Sequence, residues 1–305
     1  MRSYLRKLLW DARRIRCEIE KHFPASASDR PPVFVVGCGR SGTTLLGKLL
    51  GRQVGIRNLN EPRDRWFVID PKTDDIGLYQ LGGQLDFGEN DVTQHARAAS
   101  GLISRPLGVS RRDVIVEKSP SNVFRLPWLR ALYPGCRIVN LVRSGRDVVT
   151  SIMRLVETNE YKIAAGERNQ WWGRDNCKRT LILRRAARIG LLTCDPDDLS
   201  ENEMNPTAAM LEWIMSIEAM DAFVADRGWT GVLVVRYENI VENPNHEISR
   251  LLDYIGLNEN VEPRGPANVI RSLETGVAAK FDSLIAPAHE SAKRLFKQYM
   301  KLNGY

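Results

Sequence analysis

Eight consecutive residues, Gly37-Cys-Gly-Arg-Ser-Gly-Thr-Thr44, follow the apolar run Val33–Val36 and precede Leu45 and Leu46. Their outline, G-x-x-x-x-G-x-[ST], is that of a loop that wraps an anion. Glycines permit the tight turn that points successive backbone N–H groups inward. A helix starting near Thr43 adds its positive dipole end and its free N–H groups. Ser41, Thr43 and Thr44 supply hydroxyl donors. In loops that hold nucleoside triphosphates, a lysine before the final Ser/Thr reaches the β- and γ-phosphates, and the hydroxyl binds magnesium. Thr43 stands at that lysine position, while Arg40 stands earlier, inside the loop. A guanidinium there can fork onto terminal anionic oxygens without a metal. The loop suits a shorter anionic chain than a triphosphate.

A second basic position lies in IVNLVRSGRDVVTSIMR, residues 138–154. Arg143 sits where an apolar strand stops, at the carboxyl end of the sheet, where open α/β folds bind ligands. Ser151 follows eight residues later, about two helical turns, and meets Arg143 only if the chain turns between them.

Positioning these groups calls for alternating strands and helices. Val33–Val36, Val114–Val116, Ile138–Val142 and Gly231–Val235 are short continuous apolar runs, as strands buried on both faces should be. Helical patterns separate them at Thr43–Leu50, Asn122–Leu132, Val148–Val156, Ala208–Val224 and Asn245–Ile255. This alternation is the signature of an α/β fold, a central parallel sheet flanked by helices. Residues 157–206 are polar and basic, lack a strand, and read as an insertion carrying Trp171 and Trp172. Residues 1–31 read as an N-terminal amphipathic helix and linker: Leu5, Leu8, Leu9, Ala12, Ile15, Ile19 and Phe23 recur at helical spacing, and a Pro/Ser-rich stretch follows. That helix is suited to packing on its own domain, on a second subunit, or on anionic lipid.

Composition narrows the classes. The 305 residues are 43% hydrophobic, enough for a real core. A net charge of +7 favours anionic ligands without choosing among them. No basic arm or nucleic-acid signature appears, so no nucleic-acid partner is expected. Five scattered cysteines and four dispersed histidines fit neither a disulfide framework nor a zinc site. No apolar run approaches the ~20 residues of a membrane span, and charges interrupt any secretory signal in residues 1–23. A cytoplasmic protein is expected.

Four motifs in order, GCGRSGTTLL, EKSP at 117–120, LVRSGRDVVTS at 141–151 and VVRYENIVENP at 234–244, resemble the sulfotransferases that use 3′-phosphoadenosine-5′-phosphosulfate (PAPS). The likeness is to the bacterial and tyrosylprotein sulfotransferase branch and covers about residues 32 to 256. It implies a P-loop nucleoside-triphosphate-hydrolase-like fold, with 32–305 as the sulfotransferase domain. It also implies PAPS as sulfonyl donor, adenosine 3′,5′-bisphosphate (PAP) as product, and no metal. By motif, Arg40, Ser41, Gly42, Thr43 and Thr44 would cradle the 5′-phosphosulfate, and Arg143 and Ser151 would hold the ribose 3′-phosphate. Tyr237 would line the nucleotide pocket, or serve the strand-to-helix junction instead. Arg154 is a further basic candidate, not clearly in register.

The resemblance further implies that Glu61, in NLNEPRDRW, is the general base, with Asp64 as runner-up. The plain alternative is a loop carboxylate paired with Arg57, Arg63 or Arg65. Lys118 would stabilise the bridging oxygen and leaving group, and Arg40 would join it as a catalytic cation. Glu117 reads as structural, although VIVE also resembles a strand ending in a magnesium-binding acid. That leaves a kinase-like phosphotransferase as one alternative; a catalytically silent nucleotide-binding or scaffold protein is another. The acceptor would be a small-molecule or glycan hydroxyl, walled by residues 63–105 and 157–206. Residues 262–290 are candidates to close over the donor, with Ser272 and Lys280 as possible contacts.

Overall fold

Val33 and Val35 point to one face of the central strand and Phe34 and Val36 to the other, and all four are fully buried. Two-residue periodicity with no polar face requires a layer of helices on each side. The computed structural model, which describes residues 2–23, 30–158, 171–227, 231–257 and 277–305, has that arrangement. Five strands form one sheet: β1 (Val33–Gly37), β2 (Ile56–Asn60), β3 (Val114–Lys118), β4 (Arg137–Val142) and β5 (Val232–Arg236). Their order is β2-β3-β1-β4-β5, and every pairing is parallel. On one face Val33, Val35, Val116, Val139 and Leu141 pack against Leu46, Leu49 and Leu50 of the helix Thr43–Leu50 and against Leu251 and Ile255 of the helix Pro244–Ile255. On the other, Phe34, Val36 and Ile138 meet Trp66, Trp128, Trp213 and Phe296. Each buried Leu or Val there contributes roughly 1.5–3 kcal/mol.

β2 went unread in the sequence because IRNLN is no continuous apolar run. It is an edge strand, hydrogen-bonded only to β3, and its side chains are half-buried or exposed. The helix expected over Val148–Val156 spans Gly145–Thr158, and the one expected over Ala208–Val224 spans Glu201–Arg227, with Pro206 near its start. Pro206 is the sixth residue of that helix, so its missing N–H leaves the Asn202 carbonyl without the usual i→i−4 bond. Within 157–206 the described residues hold the helix Cys177–Arg188 and no strand. Among the described residues no helix is long and apolar enough to cross a membrane.

Parallel strands end at one edge, and that edge carries the chemistry. The glycine loop follows β1, Glu61 follows β2, Lys118 ends β3, Arg143 follows β4 and Tyr237 follows β5. Ladder register holds them level: Asn60 lies beside Lys118, Lys118 beside Val35, and Gly37 beside Leu141. Residues from five distant parts of the chain thus converge with little loop length spent.

Candidate functional site

The loop Cys38–Gly42 is shaped by its neighbours. Gly37 has φ 142°, and a Cβ there would fall 2.3 Å from the carbonyl oxygen of Leu141, so only glycine fits. A Cβ on Gly42, at φ 98°, would fall 2.3 Å from the ring of Tyr237. One on Gly39 would fall 2.7 Å from the ring of Trp171. Two aromatic rings clasp the loop from two sides. Arg40 takes φ 72° and Glu61 φ 47°, a left-handed backbone uncommon outside glycine. Such conformations cost about 1–3 kcal/mol each and collect at functional positions.

Arg40 brings the two basic segments together. Its Nε donates to Ser151 Oγ at 3.0 Å, and its carbonyl accepts from Arg143 Nη1 at 3.3 Å. The chain turns at residues 143–145, between β4 and the helix Gly145–Thr158, and this turn lets both residues reach the loop. The Arg143 guanidinium stacks 4.2 Å above the Tyr237 ring, and its carbonyl accepts from Trp213 Nε1 at 3.1 Å. Among the described residues, buried Arg143 Nε and Ser41 Oγ have no hydrogen-bond partner, leaving donors available to an anion.

Glu61 and Lys118 form the other half. Glu61 N donates to the Lys118 carbonyl at 2.8 Å, which extends the β2–β3 ladder by one residue. Lys118 is fully buried, and its Nζ donates to Glu61 Oε1 at 2.6 Å and to Thr44 Oγ1 at 3.2 Å. Arg63 reaches Glu61 Oε2 at 3.5 Å. Burial resists ionisation of Glu61, but Arg63 and Lys118 outweigh it and hold the carboxyl below its ordinary range. Glu117, one residue earlier, faces the opposite way. It accepts from Trp66 Nε1 at 2.9 Å, from Asn122 Nδ2 at 3.0 Å and from the Ser119 hydroxyl. Burial pushes its carboxyl up to about 7 despite those bonds.

Arg40, Thr43, Thr44, Glu61, Arg143 and Tyr237 line a cavity of about 300 Å³, with Arg63, Trp171 and Lys178 among its walls, while Lys118 and Ser151 stand behind these residues and do not line it. Ser41 instead lines a second, larger cavity of about 490 Å³ with Cys38, Asn140 and Trp213. The chemistry-bearing residues concentrate in the smaller one. Asp64 turns away, its Oδ2 3.6 Å from the Cys17 thiol. Arg65 also points elsewhere, onto Glu20. Lys280 is exposed, and Ser272 lies outside the described residues.

Sequence reading missed a buried ionic cluster behind the cavity. Asp75 accepts from Arg63 Nη1 at 3.1 Å and Ser121 Oγ at 2.7 Å, with Arg125 and Lys178 each 3.9 Å away. Burial opposes its charge, yet Arg63, Arg125 and Lys178 take the carboxyl down to about 2. Lys178 donates to Glu212 at 2.6 Å, and Glu212 also accepts from Trp172 Nε1 at 2.8 Å. Burial alone would lower the Lys178 ammonium, but Glu212 and Asp75 raise it. Isolated charges outside any motif left no signal by which to find this cluster.

Comparison with known proteins agrees with this architecture. A model described as the sulfotransferase family matches residues 31–186. The nodulation protein NoeE of Sinorhizobium fredii is 26% identical over 237 residues, covering 73% of this chain and 49% of that protein. The chain therefore spans about half the length of that curated relative. Among solved structures, the sulfotransferase domain of the Synechococcus PCC 7002 olefin synthase superposes with a TM-score of 0.50 at 17% identity, covering 90% of this chain and 96% of that domain. At that identity the likeness is one of fold.

Proposed function

This chain belongs to the sulfotransferase family, and we propose that it transfers the sulfonyl group of PAPS to a hydroxyl of a small-molecule or glycan acceptor. The observation that carries the reading is the position of the Lys118 ammonium, 3.2 Å from Thr44 of the anion loop and 2.6 Å from Glu61. One cation spans the donor loop and the candidate base. The 5′-phosphosulfate lies on the backbone of Arg40–Thr44, against the helix N-terminus, with Arg40 on its sulfonate oxygens. Arg143 and Ser151 take the 3′-phosphate, and Tyr237 borders the nucleotide.

Glu61, ionised at neutral pH, accepts the acceptor hydroxyl's proton as the oxygen attacks sulfur. The new O–S bond forms while the bond from sulfur to the bridging phosphate oxygen breaks, and PAP leaves with that electron pair. Lys118 swings from Glu61 to the bridging oxygen, which lends charge to the leaving group and frees the carboxylate together. Residues 32–305 act as one domain in this scheme, and Trp171 and Lys178, from the segment 157–206, stand on the acceptor side.

Thermal shift separates this reading from a phosphotransferase. PAP without metal should raise Tm by several degrees, and ADP with magnesium should not. Stabilisation by ADP with magnesium alone sinks the proposal. Labelled PAPS offered to a panel of hydroxyl acceptors then tests transfer, and bisphosphate binding without any transfer points to a silent nucleotide-binding protein.

A further inference from the structure

The N-terminal helix Arg2–Glu20 buries one face and bares the other. On the buried face Cys17 is 2% exposed, and the Glu20 carboxylate takes both terminal nitrogens of Arg65, at 2.8 and 3.1 Å. On the far face Leu8, Ile15 and Ile19 are 48%, 53% and 57% exposed, with Leu9 and Phe23 bare beside them. At about 100° per residue, Leu8, Ala12, Ile15 and Ile19 fall within roughly 60° of one another, nearly opposite Cys17. Their alternating steps of four, three and four are those of a two-helix seam. Asp11 and Glu18 border the seam on one edge, and Leu9 and Arg16 on the other.

We propose that a second copy of this chain covers the stripe, with the two helices parallel about a two-fold axis. Such an axis brings unlike edges together, and an edge residue meets the partner helix five positions on. Asp11 of one copy then faces Arg16 of the other, and the pair occurs twice. Glu18 has its charge already held by Lys21, one residue past the helix end, at 2.5 Å. An antiparallel pair sets each edge against itself, Arg16 near Arg16. An anionic bilayer would gain Arg16 beside one edge and Arg14 farther round the other, but Asp11 and Glu18, nearer the stripe, would oppose it. Cys17 and Glu20 hold each helix to its own domain by the face turned away from the stripe. The helical stripe, residues 8–20, extends only about 20 Å and supports less than a standard interface, so the dimer is weak and concentration-dependent.

Sedimentation velocity of the full chain over a range of concentrations is the test. Self-association is expected, and Ile15→Glu with Ile19→Glu should abolish it while circular dichroism stays unchanged. Asp11→Arg or Arg16→Asp alone should weaken the dimer about three- to tenfold, and the two together should restore it. Ala12→Cys should cross-link to its own counterpart on oxidation, as only the parallel register allows. A chain monomeric at every concentration overturns the proposal, as does a dimer indifferent to the two glutamates. So does a dimer that Ala12→Cys fails to cross-link. Binding to phosphatidylserine vesicles that the same glutamates abolish, without self-association, gives the stripe to a membrane and also overturns it.

Discussion

Glu61→Gln keeps the side chain's shape and removes its charge, and the structure sets out three separable consequences. Glutamine cannot accept the acceptor proton, so turnover should fall by about 10²–10⁴, equivalent to roughly 3–5 kcal/mol of transition-state stabilisation. The fully buried Lys118 loses its anionic partner at 2.6 Å but keeps Thr44 at 3.2 Å. The amide oxygen still accepts a hydrogen bond, so folding stability should drop by about 1–3 kcal/mol rather than the larger cost of an unpaired buried charge. Lys118 is then freer to meet the donor, so PAP should bind as tightly as before or more tightly.

Single-turnover transfer, chemical denaturation and calorimetric titration of PAP read these three quantities. The pH profile adds a check of sign. Burial acting against Glu61 is outweighed by Arg63 and Lys118, so the folded carboxyl titrates below its ordinary value. In the free wild-type enzyme the acid limb of kcat/KM should therefore lie below the usual carboxylate range, and Glu61→Gln should erase it. Turnover within threefold of wild type would place the base elsewhere. PAP affinity reduced more than tenfold would make Glu61 a donor-site residue and refute the assigned role of Lys118.

Arg143→Ala should weaken PAP by at least tenfold and leave a nucleotide lacking the 3′-phosphate nearly unaffected, as measured by titration calorimetry; equal losses would dismiss the contact. Asp75→Asn should destabilise the fold by about 3–5 kcal/mol, because three cations lose their shared buried anion; denaturant melts of both proteins check it. The carboxyl is depressed from 3.8 to about 2. Its stabilisation is therefore complete above pH 3.8 and lost as pH falls through about 2, and the variant should lack that part of the acid transition.

Much of the site was legible because its residues obey local rules. The glycine loop announces itself through φ requirements that only glycine meets easily and through the apolar strand before it. Arg143 and Lys118 were readable as strand-end cations, since a buried parallel strand stops where charge begins. Helix ends shifted by a few residues, as the helix starting at Gly145 did, because caps and turns are decided by neighbours. β2 escaped because an edge strand has one hydrogen-bonded neighbour and little apolar burial to mark it.

Tertiary structure decided what lies beside what. Parallel register sets Asn60 next to Lys118, and this alone turns Glu61 from a loop carboxylate into the partner of a buried ammonium. Ser151 reaches Arg40 only through the turn after β4. Asp75, Lys178 and Glu212 come from three segments without a shared motif, and they form one cluster because a buried charge is tolerated only with its counterion close by. Sequence specifies which groups are present and which element each ends or begins. The crossing of chains far apart in sequence sets the distances, and charge, acidity and proton transfer depend on distance.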